Sequence, residues 1–420
     1  MATTEACEGS AQEIGATYNP FDQQFLDNPH PIYERIHAVA PVCWSEAFES
    51  WLVTRYDDVT AAVNNPVFSS RNKSGPMPPS EVLEELEHGF PMAGMLYGTD
   101  PPEHTRLRTL VQAALSPELV ADFEPTVRAT ANRVLDGFIH DRRADLYTQF
   151  VQPYTDYSIL DFVGVPREDH ARVWDWHHTW ERIFIPGREP EDQRAETRRV
   201  VQYQHYYAAM IDARRMTPRR DLVTALVEAR ADGWEPLTTA EIVWELIELV
   251  GAAGNTTYGM ANVLLRLLQD TQRWRTLRGD YEALTASIEE GMRVESPVLG
   301  CARETTEPVE IGGVPLPEGA PVLIAFAAAN HDASVFVDSN RFDTQHGDTV
   351  PQLTLGRGSH YCVGARLARL MMRVASEVLL ARLPTAHFAD DFVPEFYAPY
   401  PFLRCVSSLP VAWDAAENCM

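Results

Sequence analysis

The chain has 420 residues, 45% of them apolar, 10% aromatic and 23% charged, the balance of a folded globular protein rather than a disordered segment. Its 60 acidic against 35 basic side chains give a formal charge of −25, which excludes a protein that coats nucleic acid, since phosphate binding needs a basic face. The opening MATTEACEGSAQEIGATYNPF lacks the basic start and apolar run of a signal peptide, and no stretch approaches the roughly 20 apolar residues of a membrane span, so a cytoplasmic protein is expected.

Residues 1–18 read as a loose tail, 19–413 as one large domain and 414–420 as a second tail. WLVTRYDDVTAAVNN mixes a short strand with a helix, and HTRLRTLVQAAL is an amphipathic helix closed by Ser116-Pro117. Further helices are expected over LVADFEPTVRATANRVLDGFI, over the long run from Thr239 to about Asp270, and over YEALTASIEEGMRVES ahead of Pro297. The dense Gly, Ala and Thr of LVGAAGNTTYGM in the long helix invites a bulge or close helix packing. Strand signals come late: VEIGGVPLPEG is a hairpin and PVLIAFAAA a strand leading onward. Residues 331–358 form a long coil, a kind of segment that in compact domains is usually functional. The fold class is mainly α with minor β sheets.

Structural disulfides are rare in the cytoplasm, and the six cysteines (7, 43, 301, 362, 405 and 419) contain no CxxC pair. Most read as small buried hydrophobes or tail residues. The exception is Cys362 in LTLGRGSHYCVGARLARLMM, where Gly356 and Gly358 permit positive φ and a close backbone approach. The following helix carries an apolar stripe from Val363 to Val378 and a basic one at Arg366, Arg369 and Arg373. A thiol at a helix N-terminus should have a lowered pKa and could serve as a nucleophile or a metal ligand. His360, two residues away, is poorly spaced for a catalytic base, and only His331, His346 and His360 lie near enough for zinc, which wants about four ligands. An inert cysteine under a glycine turn is the bland alternative.

LGRGSHYCVG resembles the haem-thiolate signature of cytochromes P450, Phe-Gly-x-Gly-x-His-x-Cys-x-Gly. The resemblance implies a haem b cofactor with Cys362 as axial iron ligand, His360 on a propionate, Gly356, Gly358 and Gly364 as close-approach glycines, and Leu355 in the usual place of phenylalanine. DPPEHTRLR resembles the family's propionate-binding helix start, with His104 and Arg108 as the donors; Arg303 in CARETTEPVEIGG resembles a third. Glu290 and Arg293 in EEGMR resemble the family's buried Glu-x-x-Arg brace, with His346 the counterpart of its usual coil arginine and a rearranged contact expected there. Ala253, Gly254 and Thr257 match the distal Ala-Gly-x-acid-Thr pattern, so Asn255, Thr256 and Thr257 are the expected catalytic residues and Thr256 stands in the acid's place. The likeness runs from NPHPIYERI to the C-terminal strands.

What the family implies is a monooxygenase that uses O2, a hydrophobic small-molecule substrate and electrons from a ferredoxin, for which the basic stripe of Arg366, Arg369 and Arg373 is a candidate docking face. Hydroxylation and O-demethylation are both open, whether in natural-product tailoring or in aromatic or terpenoid catabolism. Met92, Met95, Leu96, Ala252, Ala253, Val298, Leu299 and Phe402 are the expected pocket residues. Two alternatives are a peroxide-using or redox-neutral haem-thiolate enzyme, and an idle haem protein that only binds ligands.

Overall fold

In a computed structural model the described residues are 13–71, 80–90, 94–183, 189–348 and 350–414. The principal helices are α1 Glu103–Ala114, α2 Glu124–Asp136, α3 Gln152–Val163, α4 Thr239–Leu268, α5 Tyr281–Val294 and α6 Ala365–Arg382. Helices dominate because most of the apolar residues recur at three- and four-residue spacing and so have a face to bury. The helix expected from Leu119 onward is broken: a short piece, Pro117–Asp122, ends at Phe123, and α2 starts at Glu124 with Pro125 in its first turn, which lacks the N–H that a continuing helix would need. Residues 13–18 are not a loose tail, since Ile14 and Tyr18 are buried in the core.

A five-stranded sheet flanks the helices: β1 Val42–Ser45, β2 Ser50–Val53, β3 Phe68–Ser69, β4 Cys301–Thr305 and β5 Pro321–Ile324, in the order β1-β2-β5-β4-β3. Only β2 and β5 pair in parallel, with Leu52 opposite Leu323, and Arg303 lies opposite Val322. The expected hairpin is present as Val309–Ile311 against Val314–Leu316. Tyr56, Val59, Ile324 and Phe326 belong to the small core beneath the sheet; the large core lies among the helices.

Helix α4 runs unbroken through LVGAAGNTTYGM, so the bulge that its composition invites does not form. Its start is secured by a capping box: Thr238 Oγ1 accepts the Glu241 N–H and Glu241 accepts the Thr238 N–H, worth about 0.5–2 kcal/mol. Trp244, Leu246 and Ile247 are fully buried, and side chains of this kind contribute about 1.5–3 kcal/mol each. Small residues let neighbours approach: a Cβ on Gly259 would meet Met372 of α6 at 2.9 Å. Among the described residues no helix is long and apolar enough to cross a membrane.

Two buried charge clusters fix the frame. Arg293 donates to both oxygens of Glu290 at 2.8 Å and to the carbonyls of Asn330 and Ser339 at 2.7 Å. His346 joins it, with Nδ1 2.9 Å from Glu290 Oε1 and Nε2 2.6 Å from the Val337 carbonyl, so the coil that leads to Cys362 is tied to α5 by an imidazole. In the second cluster Glu295 pairs with Arg404 and Arg266. Burial alone would raise the Glu295 carboxyl, but the guanidiniums of Arg404 and Arg266 outweigh it and hold the group at about 2.

Removing the charge in Glu295→Gln leaves Arg404 buried beside an uncharged partner and should cost about 3–5 kcal/mol in denaturant unfolding. Because the folded-state pKa lies below the unfolded one, this contribution is complete above the unfolded value. It is lost as pH falls through the folded value of about 2. A flat stability curve for wild type across that acid range would contradict the assignment.

Candidate functional site

The chain leaves the coil at Leu353 and folds into a tight loop ahead of α6. Gly356 and Gly358 have φ of +71° and +72°, and a Cβ on Gly358 would also press on the Val63 carbonyl at 2.9 Å, so both positions need glycine. The Cys362 N–H donates to the Leu355 carbonyl at 2.8 Å, closing the loop. Helix α6 starts at Ala365 with Gly364 as its cap, so the cysteine precedes the helix rather than opening it. The thiol pKa is correspondingly not lowered. Burial raises it, and the Gly364 amide and the guanidiniums of Arg108 and Arg369 only oppose that rise.

Cys362 opens into an interior cavity of about 470 Å³, within the range of small-molecule sites. Leu355, Gly356, His360 and Gly364 line it on the loop side, and Arg108 and Arg303 from α1 and β4. His104, one turn before Arg108, stacks on His360 with ring centroids 3.9 Å apart. His360 Nε2 meets Ser70 Oγ at 3.0 Å, a contact that nothing in the sequence pattern announced. Burial, then His104 and Arg303, push the His360 imidazole down to about 3; burial, then Arg108, lowers His104. None of these four basic side chains forms an ion pair among the described residues, and His104 Nε2 is buried without a hydrogen-bond partner. Such a group of donors calls for an anion.

On the opposite side α4 presents Ala252, Ala253, Asn255 and Thr256 to the cavity. Thr257, the expected threonine, does not line it: its hydroxyl lies 2.5 Å from Thr155 Oγ1 and ties α4 to α3. A one-residue shift turns a helical side chain through about 100°, and it is Thr256, with Asn255, that lines the cavity.

Leu96, Val298 and Phe402 also line the cavity, as expected. Leu299 does not. It is fully buried in the core, where its N–H donates to the Phe402 carbonyl. Met95 packs against the helical core instead, and Met92 lies outside the described residues. The basic stripe of α6 is largely neutralised: Arg369 holds Glu289 and Arg373 holds Glu124 and Glu377, leaving Arg366 exposed. Two lining residues that sequence reading missed are Glu245 and Glu248; their three-residue spacing, on the face that carries Ala252, was the available signal.

Comparison with known proteins agrees with this geometry. The Cytochrome P450 family model matches residues 174–386. The chain is similar to the cytochrome P450 monooxygenase PikC of Streptomyces venezuelae, 33% identical over 93% of this chain and 92% of that one. It is also similar to the nocardicin C N-oxygenase of Nocardia uniformis subsp. tsuyamanensis, 32% identical with 94% and 98% covered. The solved P450 heme domain of Tepidiphilus thermophilus superposes with a TM-score of 0.85 at 27% identity, covering 97% of this chain and 99% of that one. A cysteine loop facing a basic-rimmed cavity under a long helix, in a chain that matches these relatives along nearly its whole length, places it in the cytochrome P450 family of haem-thiolate monooxygenases.

Proposed function

We propose that Cys362 ligates the iron of haem b and that the enzyme inserts one oxygen atom from O2 into a hydrophobic small molecule, by hydroxylation or O-demethylation. One observation carries this reading: the Cys362 sulfur opens into a cavity lined by Arg108, Arg303 and His360, with His104 stacked on His360, and none of the four is ion-paired among the described residues. The residues present fit the group. Arg108, Arg303, His104 and His360 are donors for two propionates, and the orphaned His104 Nε2 gains a partner there. Haem bound there supplies the activation of dioxygen, which a thiolate ligand favours.

The protein's own work is binding, orientation and proton handling. Leu96, Ala252, Val298 and Phe402 exclude water and hold an apolar substrate. The Thr256 hydroxyl can hold a water for proton delivery, and Asn255 can hold one but cannot act as an acid. Asn255 also favours a second reading, a peroxide-driven enzyme, because peroxide brings both of its oxygens already reduced and needs less proton delivery. A cytoplasmic enzyme reduced by a ferredoxin is the setting we favour, with Arg366 the arginine of the expected docking stripe that has no ion pair among the described residues.

The reduced, carbon monoxide-treated holoprotein should show the strongly red-shifted absorption of a sulfur-bound iron, and Cys362→Ser should lose it; wild type without that absorption would end the reading. Thr256→Ala should lower, and Asn255→Asp raise, the share of electrons that reach product by about tenfold each, while Thr257→Val stays within about twofold. Equal loss in both threonine variants would mean that Thr256 shares the role with Thr257. Arg366→Glu should slow ferredoxin-driven turnover severalfold and leave peroxide-driven turnover unchanged; a parallel fall in both would remove Arg366 from docking.

A further inference from the structure

The face of α4 that carries Thr256 continues toward the helix start through Ala252 to Glu248 and Glu245, and both glutamates line the same cavity. One oxygen of each has a structural task. Glu245 Oε1 accepts the Leu96 N–H at 3.0 Å, and Glu248 Oε1 accepts the Tyr97 N–H at 2.9 Å. The second oxygen of each is buried and has no hydrogen-bond partner, and Glu245 as a whole is 0% exposed. No basic side chain among the described residues pairs with either; Arg106 is held by Glu241, one turn away. Two neighbouring carboxylates in an apolar wall are costly without a cation. Burial, then repulsion from Glu248, raises the Glu245 carboxyl well above the usual range, and burial pushes Glu248 up to about 7 against the Tyr97 and Leu96 amides.

Holding the 96–97 backbone requires one acceptor per side chain, which glutamine would supply without charge. The unpartnered second oxygens are therefore unexplained by that task. Their position explains them: both line the same cavity, about two and three helical turns before Thr256, where a cationic end group of a ligand would lie. We propose that Glu245 and Glu248 form a subsite for a protonated aliphatic amine, so that the enzyme's substrates carry a basic nitrogen at one end. The subsite rests on the oxygenase reading above and names its substrate class. Glu248 lies eight residues before Thr256, about 12 Å of helix rise, which sets the scale of the separation between that nitrogen and the oxidised carbon.

The test uses ferric holoenzyme at pH 8, with N,N-dimethyloctylamine and its uncharged counterpart of matched branching, 2-methyldecan-2-ol, as probes in calorimetric and spectral titrations. Wild type should bind the amine about tenfold or more tighter than the alcohol, the worth of a charge-assisted hydrogen bond. Glu248→Gln and Glu245→Gln should each cut that preference to about twofold or less, with the alcohol's affinity held or improved. Equal affinity of wild type for both probes, or a preference that survives both substitutions, overturns the subsite. A nitrogen-ligated ferric spectrum, which would place the amine on the iron, overturns it as well. The carbon monoxide spectrum of the same preparation checks the haem-thiolate reading separately: a normal spectrum with no amine preference sinks the subsite alone.

Discussion

A buried sulfur facing a ring of unneutralised basic side chains is the constraint around which the rest of this structure is arranged. Each half is electrostatically costly by itself. The thiol is protonated more readily than a free cysteine because burial penalises its anion. The basic groups repel one another, and His360 is driven toward its neutral form by burial and by His104 and Arg303. One flat anionic cofactor with a thiolate-binding metal answers both problems, so the loop, α1 and β4 make chemical sense only together. The brace at Glu290 and Arg293 serves this end by pinning the preceding coil through four carbonyl and imidazole contacts rather than through apolar packing.

Much of that arrangement was legible in the chain because it is local. Gly356 and Gly358 flank a turn that needs positive φ, and His104 and Arg108 share a helical face by spacing alone. The family resemblance and the mainly helical fold were legible for the same reason, since the cysteine loop is a contiguous word. What failed depended on angle or on distant partners. Thr256 and Thr257 differ by one helical step, which a string of letters does not resolve, and only the packing of α3 against α4 decides which hydroxyl is taken by Thr155. Leu299 and Val298 are adjacent in the same way and go to opposite sides. Arg369 and Arg373 looked free because Glu289, Glu124 and Glu377 lie on other turns and helices.

The imidazole in the brace shows that two well-placed nitrogens suffice to tie the coil to α5. An arginine would bring several fixed donors; His346 brings two nitrogens and still reaches both the carboxylate and the Val337 carbonyl. His346 lies in a short 3-10 turn, Thr344–Asp348, which brings its ring to Glu290 of α5. Identity of side chain matters less there than a donor in the right place.

The hydrogen bonds from the amides of Leu96 and Tyr97 to the α4 glutamates make one mechanical unit of a chain segment and a wall of the cavity. The path of residues 96–97 and the charge on this wall of the chamber cannot then evolve separately. Transplanting a relative's segment here, without its helix, would strand two acids and two amides at once, so selectivity in this lineage should change by paired rather than single replacements.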